Sequence, residues 1–377
     1  MNILQLVDSL HSGGAERMAL SISHLLKGKN YNVILCATRS GGALEKLINK
    51  DLPYFKLYKK HILDLKSFNE LTHLIKQYNI QVVHAHSSSV IWGVGIKVLF
   101  PKVRLIWHDH NGARAAKPSF QNLLYKAISF KIDGIITVNE DLLDWSRKNM
   151  KLPQEKIVLL HNFPEEAVCQ FLEEKKQESF INIICVSNLR YPKDHFTLVR
   201  ALSLAKHKLK GAKQLKLFLV GAFPDEEYHL KLSNLIDELV LENEIELMGS
   251  RIDVMSLVQQ SDIAVLSSTS EGLPVTLLEY GLARKPVVVT DVGQCAKVVN
   301  LGKGGWLIPK SNPEQFAEAI LEAISKPDIA IKKADFLHQS VKKYYSGEAF
   351  AKGYKELLKV IGLNEESGLN KPQSVFR

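Results

Sequence analysis

Short runs of β-branched and aliphatic residues alternate along the chain with longer stretches whose apolar positions recur every three to four residues. In the first half the strand-like runs are Ile3–Val7, Val33–Ala37, Val82–His86, Leu105–His108, Gly134–Val138 and Ile157–His161. Between them lie helical patterns at Ala15–Lys27, where Met18, Leu20, Ile22, Leu25 and Leu26 are apolar, and at Phe68–Tyr78, Ser119–Phe130 and Asp141–Asn149. The second half repeats the rhythm. Its strand-like runs are Asn182–Val186, Lys216–Val220, Ile245–Met248, Ile263–Leu266, Val287–Thr290 and Gly305–Ile308, and its helical patterns are Phe196–Lys208, Glu226–Leu241, Val254–Gln260, Pro274–Ala283 and Pro313–Ile324. Continuous apolar strands separated by helices predict a parallel sheet covered on both faces.

Because the rhythm runs through twice, the expected class is α/β, with two doubly wound domains in tandem. The length of 377 residues, 46% of them apolar, fits that count, at about 100–200 residues per domain. The polar segment Glu165–Phe180, with the charged run Glu173 to Glu178, marks the boundary near residue 175. This predicts domains over 1–170 and 175–345. A helical pattern follows over 347–362, and the polar tail 364–377 is expected to be disordered.

Charge adds an asymmetry. The net charge is +9, and residues 1–165 carry 22 basic and 13 acidic side chains, which accounts for all of it. A basic half attracts anionic partners such as a phospholipid surface or a phosphorylated substrate, or is simply a solvated basic face. The four cysteines, Cys36, Cys169, Cys185 and Cys295, are far apart with no CxxC. That spacing disfavours a disulfide framework or zinc knuckle and fits a reducing cytoplasm. Met1 runs straight into a strand pattern without a leader-like segment. The longest apolar run, Val90 to Phe100, is 11 residues and includes Lys97, short of the roughly 18 that a span needs. The expectation is a cytoplasmic protein, at most peripheral to the inner face of the plasma membrane.

Several chemistries are absent from the chain. It has no GxxxxGK[ST], GxGxxG, HExxH, GxSxG or DxD. These absences disfavour nucleotide-dependent oxidoreductases, P-loop ATPases, zincins, α/β-hydrolases and an Asp-x-Asp-held metal.

Three segments carry candidate chemistry. Ser12-Gly13-Gly14-Ala15-Glu16-Arg17 follows the first strand and opens a helix; its glycines permit close backbone approach to an anion at the helix start, or make a plain strand–helix turn. Ser267 to Glu279, reading SSTSEGLPVTLLE, follows an apolar strand. There Glu271 falls in a loop at a strand's carboxyl end, Gly272, Leu273 and Pro274 lead to a helix start, and Glu279 falls about one and a half turns into that helix. Two carboxylates flanking a phosphate site suit a sugar and a ribose. Val186 to His195, reading VSNLRYPKDH, also bridges a strand and a helix, and its Arg190 and Lys193 either neutralise a diphosphate or are solvated loop cations. His84 and His86, like His108 and His110, are spaced i, i+2 and so share a strand face. The first pair is expected to be satisfied core or rim histidines, whereas His108 and Asp109 are expected nearer a site. Ser250 and Arg251 hold the equivalent loop position in the second half.

Together these segments resemble the family-4 glycosyltransferases, retaining enzymes of the GT-B fold, over roughly residues 1–362. The carrying motifs are GGAER, HD after the fourth strand, VSNLRYPKDH, GSRIDV and, most specifically, E-x7-E within EGLPVTLLE. The resemblance implies two Rossmann-like domains facing a central cleft, a nucleotide-sugar donor in the second and an acceptor in the first, with the C-terminal helix packing back on the first. Gly13 and Gly14 would approach the donor by backbone, Lys193 and Arg190 would balance the leaving diphosphate, and Glu271 and His108 would contact the donor sugar. Glu279 would hold the ribose, and the backbone from Gly272 through Leu273, Pro274 and Thr276 would bind phosphate, with Asn188, Ser250 and Arg251 lining the site. Asn188 stands where the family commonly has arginine, and Arg190, two residues on, shares its face on an extended chain.

The implied reaction transfers a hexosyl group, without cofactor or metal, to a glycan or lipid-linked acceptor in cell-surface polysaccharide synthesis. A sugar-nucleotide epimerase of the same architecture and a non-catalytic nucleotide-sugar-binding protein are the alternatives. Nucleic acid is not an expected partner, because no aromatic-interleaved basic run is present.

Overall fold

A computed structural model describes residues 1–11, 13–111, 114, 120–164, 180–209, 213–251 and 253–363. The chain forms two compact units, Met1–Asn162 with Gly347–Arg377, and Phe163–Ser346. The expected boundary near residue 175 and the expected disordered tail 364–377 lie outside the described residues.

The first unit holds β1 (Asn2–Val7), α1 (Gly14–Gly28), β2 (Asn32–Ala37), β3 (Tyr54–Lys56), α2 (Leu65–Gln77), β4 (Val82–His86), α3 (Val90–Leu99), β5 (Arg104–Asp109), α4 (Phe120–Ile128), β6 (Gly134–Thr137), α5 (Glu140–Asn149) and β7 (Ile157–Leu159). Its seven strands lie in the order β3-β2-β1-β4-β5-β6-β7, and each neighbour pair is parallel. The inner strands are apolar on both faces because helices cover both, and Ile3, Leu4, Leu6, Leu35, Leu105 and Ile106 are wholly buried.

The second unit holds β8 (Phe180–Val186), α6 (His195–Lys208), β9 (Gln214–Val220), α7 (Glu226–Glu238), β10 (Ile245–Gly249), α8 (Val254–Gln260), β11 (Ile263–Leu266), α9 (Val275–Leu282), β12 (Val287–Thr290), α10 (Cys295–Val298), β13 (Trp306–Ile308), α11 (Pro313–Ser325) and α12 (Pro327–Tyr344). Its six-stranded parallel sheet runs β10-β9-β8-β11-β12-β13. The last helix, α13 (Gly347–Val360), returns to the first unit. Both sheets are Rossmann-like. Strand order reverses between β1 and β4 and between β8 and β11, and ligands of such sheets bind beyond the strand carboxyl ends at that reversal.

Several elements depart from the sequence reading. The edge strand β3 is only three half-buried residues, too short for a periodicity to register. The 90–100 run, weighed above only as a span, is α3, and among the described residues no helix is long and apolar enough to cross a membrane. Helix α12 was not foreseen, because its buried stripe is just Ala330, Ala334, Leu337 and Val341 among charged residues. At α9, Pro274 takes the N-cap position with the helix starting at Val275, rather than lying in the first turn.

Candidate active site

In the second unit, the loops after β8 and β11 are the two that flank the strand reversal. They are stitched together by backbone. The Thr269 N–H donates to the Pro192 carbonyl at 2.8 Å, and the Ser267 hydroxyl donates to the Lys193 carbonyl at 3.1 Å. This brings together two residues 78 positions apart: Lys193 Nζ lies 2.5 Å from Glu271 Oε1. The Ser268 hydroxyl donates to the same oxygen at 2.6 Å. The Glu271 side chain is 9% exposed and that of Lys193 23%, so the pair sits at a surface without being freely solvated.

The loop after β12 locks the backbone of Glu271 and Gly272. Gln294 N–H donates to the Gly272 carbonyl at 3.0 Å. Gly293 adopts φ +53°, and a Cβ there would lie 2.0 Å from the Glu271 carbonyl oxygen, so only glycine passes. Gly272 itself is exposed, with nothing within 4 Å of where a Cβ would stand, which leaves its backbone open to a close-approaching group. Leu273 and Thr276 follow half-buried, and Glu279 lies four residues beyond the helix start, half-buried.

The Lys193 loop is held from behind as well. Asp194, in a left-handed conformation, caps α6 by accepting from Thr197 N–H. Ser187 Oγ lies 2.9 Å from His195 Nε2, and Tyr228 OH lies 3.0 Å from His195 Nδ1. His195 is fully enclosed, and its burial, with Lys193 nearby, pushes its pKa down to about 4, so the ring is neutral and positions the loop through two hydrogen bonds. Nothing in the sequence alone singled out Ser187, Tyr228 or Ser268 for these contacts.

The other expected residues of this unit divide. Asn188 is exposed and its Oδ1 accepts from Ala222 N–H at 3.1 Å, so it ties its loop to the one after β9. Arg190 is exposed. Arg251 pairs with Asp253 through two short bonds, 2.8 and 2.7 Å, and Ser250 beside it is exposed. Cys185 and Cys295 are buried, and desolvation raises both thiols, to about 11 and about 12, so neither is a nucleophile. Cys36 is likewise buried and free, and Cys169 lies outside the described residues.

In the first unit, Gly13 is the N-cap of α1 and Gly14 its first residue, with open space above Gly14. Ser12 lies outside the described residues. Beyond β1 the carboxylate of Asp8 accepts from Thr38 Oγ1 at 2.8 Å, Lys59 Nζ at 2.9 Å and Ser88 Oγ at 2.5 Å. Burial alone would raise Asp8, but these donors outweigh it and hold the group below its usual range. Sequence reasoning passed over Asp8, whose signal was its place just after the first strand.

The histidines form a stack. His86 and His108 are register partners on β4 and β5. Ring centroids are 4.5 Å apart for His84 and His86, 5.4 Å for His84 and His108, and 4.0 Å for His108 and His110. Tyr354 of α13 stacks on His84 at 5.3 Å, and Phe350 stacks on His108 at 6.0 Å. His108 and Asp109 are wholly enclosed, Asp109 in a bidentate pair with Arg114 at 2.6 and 3.0 Å. The His108 ring therefore touches only protein here, and a contact with a donor sugar would require uncovering it. His86 is satisfied by Gln5 at 2.8 Å and His110 at 3.0 Å, but neither His84 nitrogen has a partner, so only half of the satisfied-core expectation holds for that pair. The nitrogens of His84, His86 and His108 lie within 4.8 Å of one another. Their ring planes are within 11–35° of parallel.

Residues 12–165 match the family described as Glycosyltransferase Family 4, and residues 170–344 match Glycosyl transferases group 1. The chain belongs to the group 1, family-4 glycosyltransferases. It is similar to the putative glycosyltransferase EpsD of Bacillus subtilis, 26% identical over 71% of this chain and 74% of the relative. It is also 25% identical, over 74% of this chain and 77% of the relative, to the Campylobacter jejuni N,N'-diacetylbacillosaminyl-diphospho-undecaprenol alpha-1,3-N-acetylgalactosaminyltransferase. Among solved structures, a Rickettsia africae glycosyltransferase superposes with TM-score 0.79 at 22% identity, covering 96% of this chain and 99% of that one. Anabaena HepE in complex with UDP and glucose superposes with TM-score 0.77 at 18% identity, over 95% and 99%. The fold of this glycosyltransferase is thus GT-B.

Proposed function

We propose that this glycosyltransferase moves a hexosyl group from a nucleoside-diphosphate sugar to an acceptor hydroxyl with retention, without metal, in the synthesis of a cell-surface polysaccharide or glycolipid. The observation that carries the reading is the convergence of Lys193, Ser268 and Glu271 beside the open backbone of Gly272, at the strand reversal of the second unit. Relatives add support: one is named for transfer onto a diphospho-undecaprenol, and HepE was solved with UDP-glucose.

The anomeric carbon–oxygen bond to the diphosphate breaks with its electron pair going to phosphate. The acceptor oxygen attacks from the same face through an oxocarbenium-like state, and its proton passes to the leaving phosphate oxygen. The protein's work in such a step is positioning and charge stabilisation. Lys193 and Arg190 meet the developing phosphate charge, and a diphosphate competes with Glu271 for the Lys193 ammonium, releasing the Glu271 carboxylate to a sugar hydroxyl. The backbone N–H groups of Gly272, Leu273, Val275 and Thr276 face phosphate oxygens at the start of α9. Glu279 accepts from the ribose diol. The acceptor is a glycan or a lipid-linked glycan presented at an anionic membrane on the cytoplasmic side.

Thermal stabilisation by a panel of nucleoside diphosphates and their sugars, in the presence of EDTA, tests the donor site. One nucleotide at 100 times its dissociation constant is expected to add about 2.7 kcal/mol, and Glu279→Ala is expected to lose that stabilisation. Absence of a response to every nucleotide would overturn the reading.

A further inference from the structure

The loop between β3 and α2 is anchored from within. Lys59, nearly buried, pairs with Asp8 at 2.9 Å. Trp92 Nε1–H donates to the Ile62 carbonyl at 3.0 Å, and Asp64 caps α2 through Ser67 N–H at 3.1 Å. Leu57 at the start of this segment is buried, yet its end turns outward: Ile62 is 55% exposed, Leu63 76% and Leu65, the first residue of α2, 79%. Solitary exposed leucines are ordinary, whereas a contiguous set on an ordered loop marks an interaction surface.

The set continues along the molecule. A surface groove of about 870 Å³ runs beside α2, lined by Leu65, Phe68, Leu99 and Phe100 together with Lys66 and Lys76. Phe68 packs edge-on against Trp92 of α3 at 5.4 Å, which keeps the groove's floor rigid. Lys66 and Lys76 in the lining are exposed, as are Lys60 in the loop before α2 and Lys102 just after Phe100, with Glu70 exposed on α2. The first 165 residues carry the whole positive excess of the chain.

We infer that this face, Ile62, Leu63 and Leu65 with the lysines around the α2 groove, docks the enzyme on an anionic phospholipid bilayer. The occupant follows from charge and shape. Three short aliphatic side chains reach the headgroup–acyl boundary, and flanking ammonium groups meet anionic headgroups while their stems lie on apolar surface. The inference deepens the functional proposal by naming the surface through which a lipid-linked acceptor is met, and it rests on that proposal only for its purpose.

Vesicle flotation at low salt is the test, with liposomes of pure zwitterionic lipid and of the same lipid mixed with an anionic one. The wild type is expected to float with the anionic vesicles and to be released by high salt. Leu63→Asp with Leu65→Asp is expected to lower partitioning at least about ten-fold, because these side chains supply the buried apolar area. Lys60→Gln and Lys66→Gln are expected to cost about five-fold each. All four positions are exposed, so thermal midpoints are expected to be unchanged, and so is transfer to a detergent-free soluble acceptor, which separates failure here from failure of the reaction assignment. A wild type that stays in the bottom fraction, or leucine variants that float like wild type, would overturn the inference. So would a dimer in solution that the leucine variants abolish, which would make the occupant a second copy of the chain.

Discussion

Lys193 and Glu271 come from different motifs and meet only because their loops leave adjacent parallel strands at the carboxyl end. Each is tied to the other, and Glu271 also accepts from the Ser268 hydroxyl, so each substitution also disturbs its partner. Lys193→Ala and Glu271→Ala are each expected to lower kcat by about 10²–10³, with circular dichroism and thermal midpoint close to wild type. Their double variant is expected to lose less than the product of the two, because contacting residues do not add. Steady-state kinetics on purified protein would check this, and near-wild-type turnover in either single variant would refute the assignment. The acid and the base were legible in the sequence as loop residues after apolar strands. Their contact was not, because spacing along a chain says nothing about which of several loops lie side by side.

The histidine stack belongs to the scale of elements. It exists because β4 and β5 pair in register with His86 opposite His108, and because α13 closes over them with Phe350 and Tyr354. Desolvation pushes His84 down to about 3, so the ring is neutral in the folded state. An unfolded histidine titrates near 6.5. Below that value the unfolded chain binds more protons than the native one, so stability is full above about pH 6.5 and falls as pH drops toward 3. His84→Leu removes one such group and is expected to move the midpoint of acid unfolding to lower pH, measured by tryptophan fluorescence against pH. An unchanged midpoint would show that the stack does not set acid stability. The i, i+2 spacing announced a shared face, but the enclosure of His108 came from a helix more than 230 residues further along.

On the scale of the whole molecule, the first unit is not continuous in sequence: it needs Gly347–Val360. Phe350, Tyr354, Leu357, Leu358 and Ile361 are all buried, and a Cβ placed on Gly134 would lie 3.1 Å from the Leu357 side chain. Burying one such side chain contributes roughly 1.5–3 kcal/mol, and a domain's total stability is only about 5–15 kcal/mol. Deleting 347–377 is therefore expected to leave the first unit without a cooperative unfolding transition and able to bind a hydrophobic dye. Calorimetry showing the transition intact would disprove it.

The alternation of apolar runs and helical patterns determined two parallel α/β sheets, since the periods of 2 and 3.6 are local properties of the chain. Loop chemistry at strand ends supports the kind of site proposed. Tertiary structure alone decided that Lys193 finds Glu271, that His108 lies under α13, and that Leu63 and Leu65 remain outside. Each of these depends on which distant segment fills the space beside a residue, and burial, unlike periodicity, is a property of the packed whole.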